Sequence, residues 1–528
     1  MSAVTGTVHL VRLVLRRDRI RLPVWILGIT AVTAASANAI RSLYETPEEI
    51  AGYAATVEAS AATRLMNGRP AALDSLDGIT VYESSTVAVL AVALMSVFLV
   101  VRHTRAEEET GRAELLRSTV LGRHAATAAA FSVAAVASAL VGLLDAAVLV
   151  ANGAAAEGSL LHGASLACLG LLGAAVAAVA AQVTPSARGA LGIAGGLVGA
   201  AYVVRGLGDV SDTALTWVSP FGWAQGTRPY ADDRWWLLVP LLVLAALLAG
   251  AAVTLAAHRD FGAGLLQARA GRPRARPSLA TGWGLAFRTQ RGLLLGWTAG
   301  ITATAALFGS TGREVVDMVA DNPDLAAVFE AGGAGSVLDG YFAFVLSFLA
   351  VVSAAFAVSS VLRLKGEEDA GRAEAVLATG LSRTRWALGG LAVTLAGSLL
   401  ILLCAGLGLG ITHALVADDG SAVRVLLGGA LAQAPGILAL AGCTVLALGW
   451  LPRWSGVVGW GVFAFALLQS YLGELLSLPD VVAGLSPFWH LPMVPSEAFT
   501  AAPAAVVTSV AAVLTVVGFL GLRSRDIT

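Results

Sequence analysis

Residues 124–152 read HAATAAAFSVAAVASALVGLLDAAVLVAN, and Asp145 is the one charged side chain among them. An apolar run of this length predicts a membrane-spanning helix. Lipid offers no hydrogen bonds to the backbone, whereas a helix satisfies its backbone N–H and C=O groups internally. Similar runs recur along the chain, which is 57% hydrophobic and 13% charged. The sequence therefore predicts an all-α polytopic membrane protein and excludes a soluble one.

The apolar runs predict about twelve transmembrane helices. They lie at roughly residues 22–42, 86–102, 124–152, 161–183, 189–206, 235–257, 293–309, 340–362, 386–414, 425–449, 456–475 and 501–522. With both termini placed in the cytoplasm, most of the 34 Lys and Arg residues fall on the inner side. This distribution agrees with the positive-inside tendency and sets the predicted orientation.

A polar segment of eight residues occurs twice between these runs. Glu107-Glu108-Glu109-Thr110-Gly111-Arg112-Ala113-Glu114 returns, 260 positions later, as Glu367-Glu368-Asp369-Ala370-Gly371-Arg372-Ala373-Glu374. We call this segment the repeated motif. Other landmarks recur in the same order, including Leu76-Asp77-Gly78 as Leu338-Asp339-Gly340 and Ser219-Pro220-Phe221 as Ser486-Pro487-Phe488. Ordered landmarks are typical of a duplicated domain.

The duplication predicts two parallel six-helix repeats, since an even number of spans returns the second half in the same orientation. We predict a first six-span half at 1–257, a basic, proline-broken cytoplasmic linker at 258–287, and a second half at 288–528. Both copies of the repeated motif then face the cytoplasm, after the second span of each half.

Two local patterns predict helices outside the spans. Arg12, Arg16 and Arg19 share one helical face opposite Leu10 and Val14, which indicates either an amphipathic helix at the membrane surface or plain positive-inside flanking charge. In the long loop at 43–85, residues 46–49 read TPEE and predict a capped helix start.

The repeated motif is predicted to form a short helix. Glu108 precedes Arg112 by four residues, and Glu368 precedes Arg372 by the same spacing, which favours an ion pair along one helical face. The following apolar residues would turn toward the membrane and leave the acids exposed to solvent or to a partner. A solvated helix without function is the alternative interpretation.

With these residues in view, the chain resembles the fused twelve-span group of ABC-2-type permeases, which are similar to polyketide-antibiotic, tetronasin-resistance-like exporters. The resemblance rests on Arg16-Arg17-Asp18-Arg19, on residues 101–114 and on residues 217–223. It implies that the loop after the second span of each half is a coupling helix that docks on a cytoplasmic ATPase. The implied coupling residues are Arg105, Glu107, Glu108, Glu109, Gly111, Arg112, Glu114, Lys365, Glu367, Glu368, Asp369, Gly371, Arg372 and Glu374.

The chain lacks the sequence signature of an ATPase. A phosphate-binding loop needs a lysine after glycine and before Ser or Thr, whereas the only lysine, Lys365, lies between Leu364 and Gly366. We therefore predict a permease subunit that is not an enzyme and binds no cofactor. ATP and Mg would be bound by two copies of a separate ABC ATPase. No metal site, catalytic residue or nucleic-acid partner is predicted.

The resemblance implies export of hydrophobic or amphipathic compounds, such as polyketide antibiotics, through the plasma membrane of a bacterium. The main alternative is a proton-coupled drug antiporter of the major facilitator type, which also has six plus six parallel spans. A membrane scaffold is a third possibility. Asp145 is a substrate-path candidate because intramembrane carboxylates are functional by default, although pairing with a neighbouring helix is the alternative.

Overall fold

The structure is a computed structural model that describes residues 2–59, 61–118, 120–266, 273–312, 337–472 and 479–525. Within these ranges every regular element is a helix, which confirms the all-α prediction. The chain forms two compact units, unit 1 at Met1–Gly271 and unit 2 at Arg272–Thr528.

Unit 1 is built around two long helices, α5 and α9, most of whose residues are buried. Its helices are α1 (Thr7–Arg17), α2 (Arg21–Leu43), α3 (Pro47–Ala59), α4 (Ala61–Asn67), α5 (Leu76–His103), α6 (Arg105–Glu109), α7 (Arg112–Arg117), α8 (Ala125–Ala151), α9 (Ala156–Val183), α10 (Ala187–Val210), α11 (Pro220–Gln225) and α12 (Leu238–Ala257). The buried apolar faces of the long helices form one core.

Unit 2 has α14 and α18 at its buried centre. Its helices are α13 (Gly282–Ser310), α14 (Val337–Asp369), α15 (Arg372–Leu377), α16 (Arg383–Ala417), α17 (Ala422–Ala432), α18 (Ala434–Trp450), α19 (Ser455–Leu472), α20 (Asp480–Ala483) and α21 (Ala501–Ser524).

Eleven helical segments among the described residues are long and apolar enough to cross a membrane. The predicted span at 456–475 corresponds to α19, which adjoins residues 473–478 outside the described ranges. The predicted span at 425–449 lies within one apolar segment, Ala422–Trp450, whose helix is broken at Gln433 between α17 and α18. Pro435, in the first turn of α18, cannot donate the backbone hydrogen bond that a continuous helix needs.

The helix expected ahead of the first span is present as α1. Leu10 and Val14 are buried, whereas Arg12 and Arg16 are exposed. α1 ends before Asp18, whose buried carboxylate lies 2.5 Å from Nε2 of His103 at the end of α5. This contact joins the entry of α2 to the exit of α5.

The loop between α2 and α5 contains α3 and α4. Glu49 accepts a hydrogen bond from the Thr46 N–H at 2.9 Å, and Thr46 Oγ1 accepts one from the Glu49 N–H at 3.3 Å. The predicted capping box is therefore present. The corresponding loop of the second half falls mainly on residues 313–336, which lie outside the described residues.

The first part of the predicted linker is attached to unit 1. The N–H groups of Leu265 and Leu266 donate to the carbonyls of Gln182 and Val183, at the end of α9. Residues 267–272 lie outside the described ranges, and α13 begins at Gly282, inside the predicted linker.

Candidate functional site

In unit 1 the repeated motif forms two short helices, α6 and α7, that meet at Gly111. The φ angle of Gly111 is +73°, and its N–H donates to the Glu108 carbonyl at 3.1 Å. This left-handed turn ends α6 in the manner common at helix C-termini. The predicted ion pair of Glu108 with Arg112 was wrong, because the turn breaks the helical register. Arg112 lies 3.9 Å from Glu107 instead.

The second copy turns at the equivalent glycine. Gly371 has a φ of +68° and separates the end of α14 from α15. Arg372 binds Glu367, with Nε 2.6 Å from Oε2. The predicted pair of Glu368 with Arg372 was therefore also wrong. No described heavy atom lies within 4 Å of a Cβ built on Gly111 or Gly371, so the positive φ is the reason for glycine at both positions.

Glu108 binds an arginine that follows the last helix of unit 1. Arg259 Nη2 lies 2.7 Å from Glu108 Oε1, and Nη1 donates to Oε2 at 2.9 Å. The guanidinium also donates through Nε to Gln182 at 2.6 Å. This bidentate geometry is the strong form of a carboxylate–guanidinium pair.

Glu368 pairs with the corresponding arginine of unit 2, although through one guanidinium nitrogen rather than two. Nη2 of Arg525 donates to both carboxylate oxygens of Glu368 at 2.7 Å, and only 2% of the Glu368 side chain is exposed. Arg525 directly follows α21, the last helix of its unit. We call the Glu108–Arg259 and Glu368–Arg525 pairs the motif clasps.

Sequence reasoning missed both clasp arginines, although a signal for them exists. Arg259-Asp260 and Arg525-Asp526 form the same dipeptide, 266 positions apart, which is within one position of the spacing between Ser219 and Ser486. Asp526 lies outside the described residues. Aligning the ends of the two halves would have identified the pair as another repeated feature.

The residues that precede the motif differ between the units. Arg105 is 1% exposed and donates to the carbonyls of Ala181 and Ala263 and, at 2.9 Å, to Glu108. Its counterpart Lys365 pairs with Asp369 on the same helix. Arg105 therefore ties α6 to the end of α9 and to the segment after α12, whereas Lys365 makes a local contact.

Two further contacts hold the motif of unit 1 in place. Arg17 at the end of α1 lies 2.8 Å from Glu107, and the hydrogen bond to this carboxylate raises the pKa of Arg17. Glu109 accepts a hydrogen bond from the N–H of Ala187, at the start of α10, at 2.8 Å. The motif is thus attached to α1, α9 and α10 as well as to the segment after α12.

The outer side of the motif is exposed in both units. Arg112, Glu114 and Leu115 are exposed on α7, and Arg372 and Glu374 are exposed on α15. We call these residues the exposed motif face. The expectation that the acids remain exposed was wrong for Glu107, Glu108 and Glu368, because arginines within the same unit compensate their charges.

Asp145 is a residue of α8 whose fully buried side chain contacts Thr33 of α2. Its Oδ2 accepts a hydrogen bond from the Thr33 hydroxyl at 2.8 Å. About one turn before Asp145, α8 packs closely on α9. A Cβ on Gly142 would lie 2.1 Å from the Gly163 carbonyl oxygen. The contact favours helix pairing, and a place on the substrate path stays a prediction.

We expect Asp145→Asn to preserve folding and Asp145→Leu to destabilise unit 1. Asparagine keeps an oxygen that accepts from Thr33, whereas leucine leaves that buried hydroxyl unsatisfied at a cost of about 1–3 kcal/mol. Thermal unfolding of the purified variants in detergent measures the difference. Equal melting temperatures for both variants would contradict the structural role of this contact.

The sequence profile of the family described as "Multidrug efflux system permease Rv1217c, C-terminal domain" matches residues 9–259 and 279–523. The chain belongs to this family. The permease is 39% identical over 529 residues to "Multidrug efflux system permease protein Rv1217c" of Mycobacterium tuberculosis (strain ATCC 25618 / H37Rv), covering 100% of this chain and 96% of the relative.

These matches support a drug-efflux permease, a transporter subunit rather than an enzyme. Its apolar helices agree with a multi-pass membrane protein. The major facilitator alternative receives no support from them.

Proposed function

We propose that this permease is the transmembrane subunit of an ATP-driven ABC-2-type exporter, on which a separate ATPase docks at the two copies of the repeated motif. The motif clasps carry this proposal. In each unit an exposed turn is held by an arginine that follows the last helix. An element that transmits force needs a surface for the motor and a firm attachment to the helices that move. Each copy of the motif has both.

The exposed motif face is the docking surface in this proposal. Glu114 on α7 and Glu374 on α15 occupy equivalent positions and are exposed. Their carboxylates would pair with basic residues in a cleft on the ATPase. Arg112 and Arg372 would pair with acidic residues next to that cleft. Charge complementarity of this kind orients partners and raises association rates.

The clasps transmit the motion of the docked motif to the membrane helices. Removing one partner of a buried ion pair costs about 3–5 kcal/mol, so a clasp stays closed while the motif moves as a rigid body. In unit 1 the displacement reaches α12 through Arg259, α9 through Arg105 and α1 through Arg17. In unit 2 it reaches α21 through Arg525.

The energy source is a second polypeptide. Lys365 is the only lysine in the chain; it pairs with Asp369 of the motif and is followed by Gly366, where a phosphate-binding loop has Ser or Thr. Two motif copies suit two ATPase subunits, which would bind ATP and Mg on the cytoplasmic side of a bacterial plasma membrane. Both termini of the permease would then be cytoplasmic.

The transported compounds are hydrophobic or amphipathic drugs in this proposal, with polyketide antibiotics as the first class to test. The relative from Mycobacterium tuberculosis is named a multidrug efflux permease, and the resemblance to polyketide-antibiotic exporters points the same way. Drug-stimulated ATP hydrolysis by the reconstituted complex, compared across such compounds, would measure the substrate range.

Charge reversal on the exposed motif face should detach the ATPase. We expect Glu114→Lys combined with Glu374→Lys to abolish copurification of the co-expressed ATPase and permease-stimulated ATP hydrolysis. The physical reason is that like charges replace complementary ones at both docking surfaces. Affinity purification of the tagged permease, followed by ATPase measurement, gives both readouts.

The matched control is Glu48→Lys, an exposed charge reversal in α3. It should leave copurification unchanged, and all variants should reach the membrane in equal amounts. Unchanged copurification and turnover of the double variant would reject the docking assignment. Efflux that stops on adding a proton uncoupler while ATP remains would instead favour a proton-coupled antiporter.

A further inference from the structure

A cavity of about 300 Å³ lies beside the repeated motif of unit 1. Its apolar walls include Leu10 and Val14 of α1, Ala113 of α7, Ala126 of α8 and Ala256 of α12. Pockets that hold small organic ligands begin at about this volume and combine apolar walls with a few polar groups. The size and the lining of this cavity are therefore those of a small-molecule site.

The cavity opens between α1 and α8, because Leu13 of α1 and Ala126 of α8 line it and are also exposed. α1 is the amphipathic helix of this unit, and helices of this kind lie at the membrane surface. α8 is long and apolar enough to cross the membrane. The opening thus lies where a compound dissolved in the membrane can enter.

Every charged side chain that lines the cavity already has a partner within the chain. Arg17 lies 2.8 Å from Glu107, and Arg259 lies 2.7 Å from Glu108. The other titratable side chains of the lining are partnered as well, namely His103, Arg123 and His124. A charged ligand would have to break one of these contacts or enter without a counter-charge, and both are unfavourable in a partly buried site. The cavity therefore favours a neutral ligand.

The polar wall also argues against a purely hydrocarbon ligand. An acyl chain would displace water from the carboxylates of Glu107 and Glu108 and offer them no hydrogen bond. A carboxylate has lone pairs for about four hydrogen bonds, so both glutamates can accept from a ligand hydroxyl and keep their arginine partners. The compound that fits has an apolar body, hydroxyl groups and no charge.

We propose that this cavity binds a neutral, hydroxyl-bearing hydrophobic small molecule, and that the bound molecule acts on the motif of unit 1. The apolar residues of α1 and α8 would cover the body of the molecule, and Glu107 and Glu108 would accept from its hydroxyl groups. Because both glutamates belong to the repeated motif, the occupied cavity would report the presence of a compound to the coupling element. This second part rests on the proposed function, whereas binding itself does not.

Ala126 is the residue through which the cavity can be filled. The position 260 residues later in unit 2 is occupied by Trp386, which is 8% exposed. Tryptophan is thus the residue that the second half uses at the aligned place, and Ala126→Trp brings its volume to the cavity of unit 1.

The test is photolabelling of the full-length permease, purified without ATPase and reconstituted in lipid nanodiscs. The probe is a neutral steroid alcohol that carries a diazirine, and the labelled peptides are identified by mass spectrometry. We expect saturable labelling of α1 and of residues 121–129 in the wild-type permease, and about tenfold less in the Ala126→Trp variant.

Val136→Trp is the matched control, since it adds the same side chain at an exposed position of α8. It should be labelled like the wild-type permease. Ala113→Phe fills the cavity from the side of the motif and should reduce labelling in the same way as Ala126→Trp. This variant keeps the proposal testable if Ala126→Trp folds poorly.

Equal labelling of these peptides in the wild-type permease and in both filled variants would overturn the proposal. Competition with the steroid by phosphatidylglycerol would overturn the assignment to a neutral ligand, and competition by a saturated hydrocarbon chain alone would overturn the need for hydroxyl groups.

The action on the motif is tested separately in the complex with the co-expressed ATPase. The steroid should raise ATP hydrolysis with the wild-type permease and not with Ala126→Trp, while both copurify the ATPase equally. Equal stimulation of the two would overturn this second part. Labelling needs no ATPase, so failure of the binding proposal is distinguishable from failure of the docking proposal.

Discussion

Replacing both clasp arginines, Arg259→Gln with Arg525→Gln, should strongly reduce coupled drug efflux while the ATPase remains bound. The exposed motif face is unchanged in this variant, so docking persists. The motif then loses its attachment to the segments that follow α12 and α21. Removing one partner of a buried pair costs about 3 kcal/mol or more, and we expect efflux to fall by at least about tenfold.

The measurement combines copurification, ATP hydrolysis and uptake of a fluorescent drug into inverted membrane vesicles. Arg188→Gln, at an exposed position of α10, is the control for loss of an arginine. Reversing the pair in unit 2, with Glu368→Arg and Arg525→Glu, should recover more efflux than either single reversal. Wild-type efflux in the double glutamine variant would show that the clasps do not transmit force.

Exchanging lysine and arginine before the two motifs should have unequal consequences for stability. Arg105→Lys should lower the unfolding free energy by about 2 kcal/mol or more, because a single ammonium cannot replace the planar set of bonds to Ala181, Ala263 and Glu108. Lys365→Arg should change it by less than about 1 kcal/mol, since Lys365 makes one local pair.

Thermal unfolding of the two variants in the same detergent measures this difference. The two substitutions are reciprocal, so each controls for the other. A melting temperature for Arg105→Lys equal to that of Lys365→Arg would contradict the buried role of Arg105. A clear loss in the first variant alone would show that the two motif copies are held differently.

Much of the architecture could be predicted because membrane helices are encoded locally. A run of apolar residues such as 124–152 specifies a span by itself, and the pattern of Leu10, Val14, Arg12 and Arg16 specifies α1. The Thr46–Glu49 capping box is equally local. The break in the helix within the span at 425–449 was missed, although Pro435 was a visible signal for it.

The role of the repeated motif in coupling stays a prediction, and the predicted contacts within the motif were wrong. Gly111 and Gly371 turn the chain, so the pairing at four-residue spacing, which assumes a continuous helix, does not form. The clasp partners come from more than a hundred and fifty positions away, since Glu108 binds Arg259 and Glu368 binds Arg525. No local rule joins residues at such separations.

The sequence alone determined that the chain is helical, spans the membrane many times and carries one polar motif twice, because these properties depend on neighbouring residues. Tertiary structure alone decided which charges of that motif are buried and which remain exposed. It also decided that Ala126 lines a cavity beside the motif of unit 1, whereas Trp386, 260 positions later, is buried. The physical reason is that burial, charge compensation and empty volume depend on what distant segments bring to the same place.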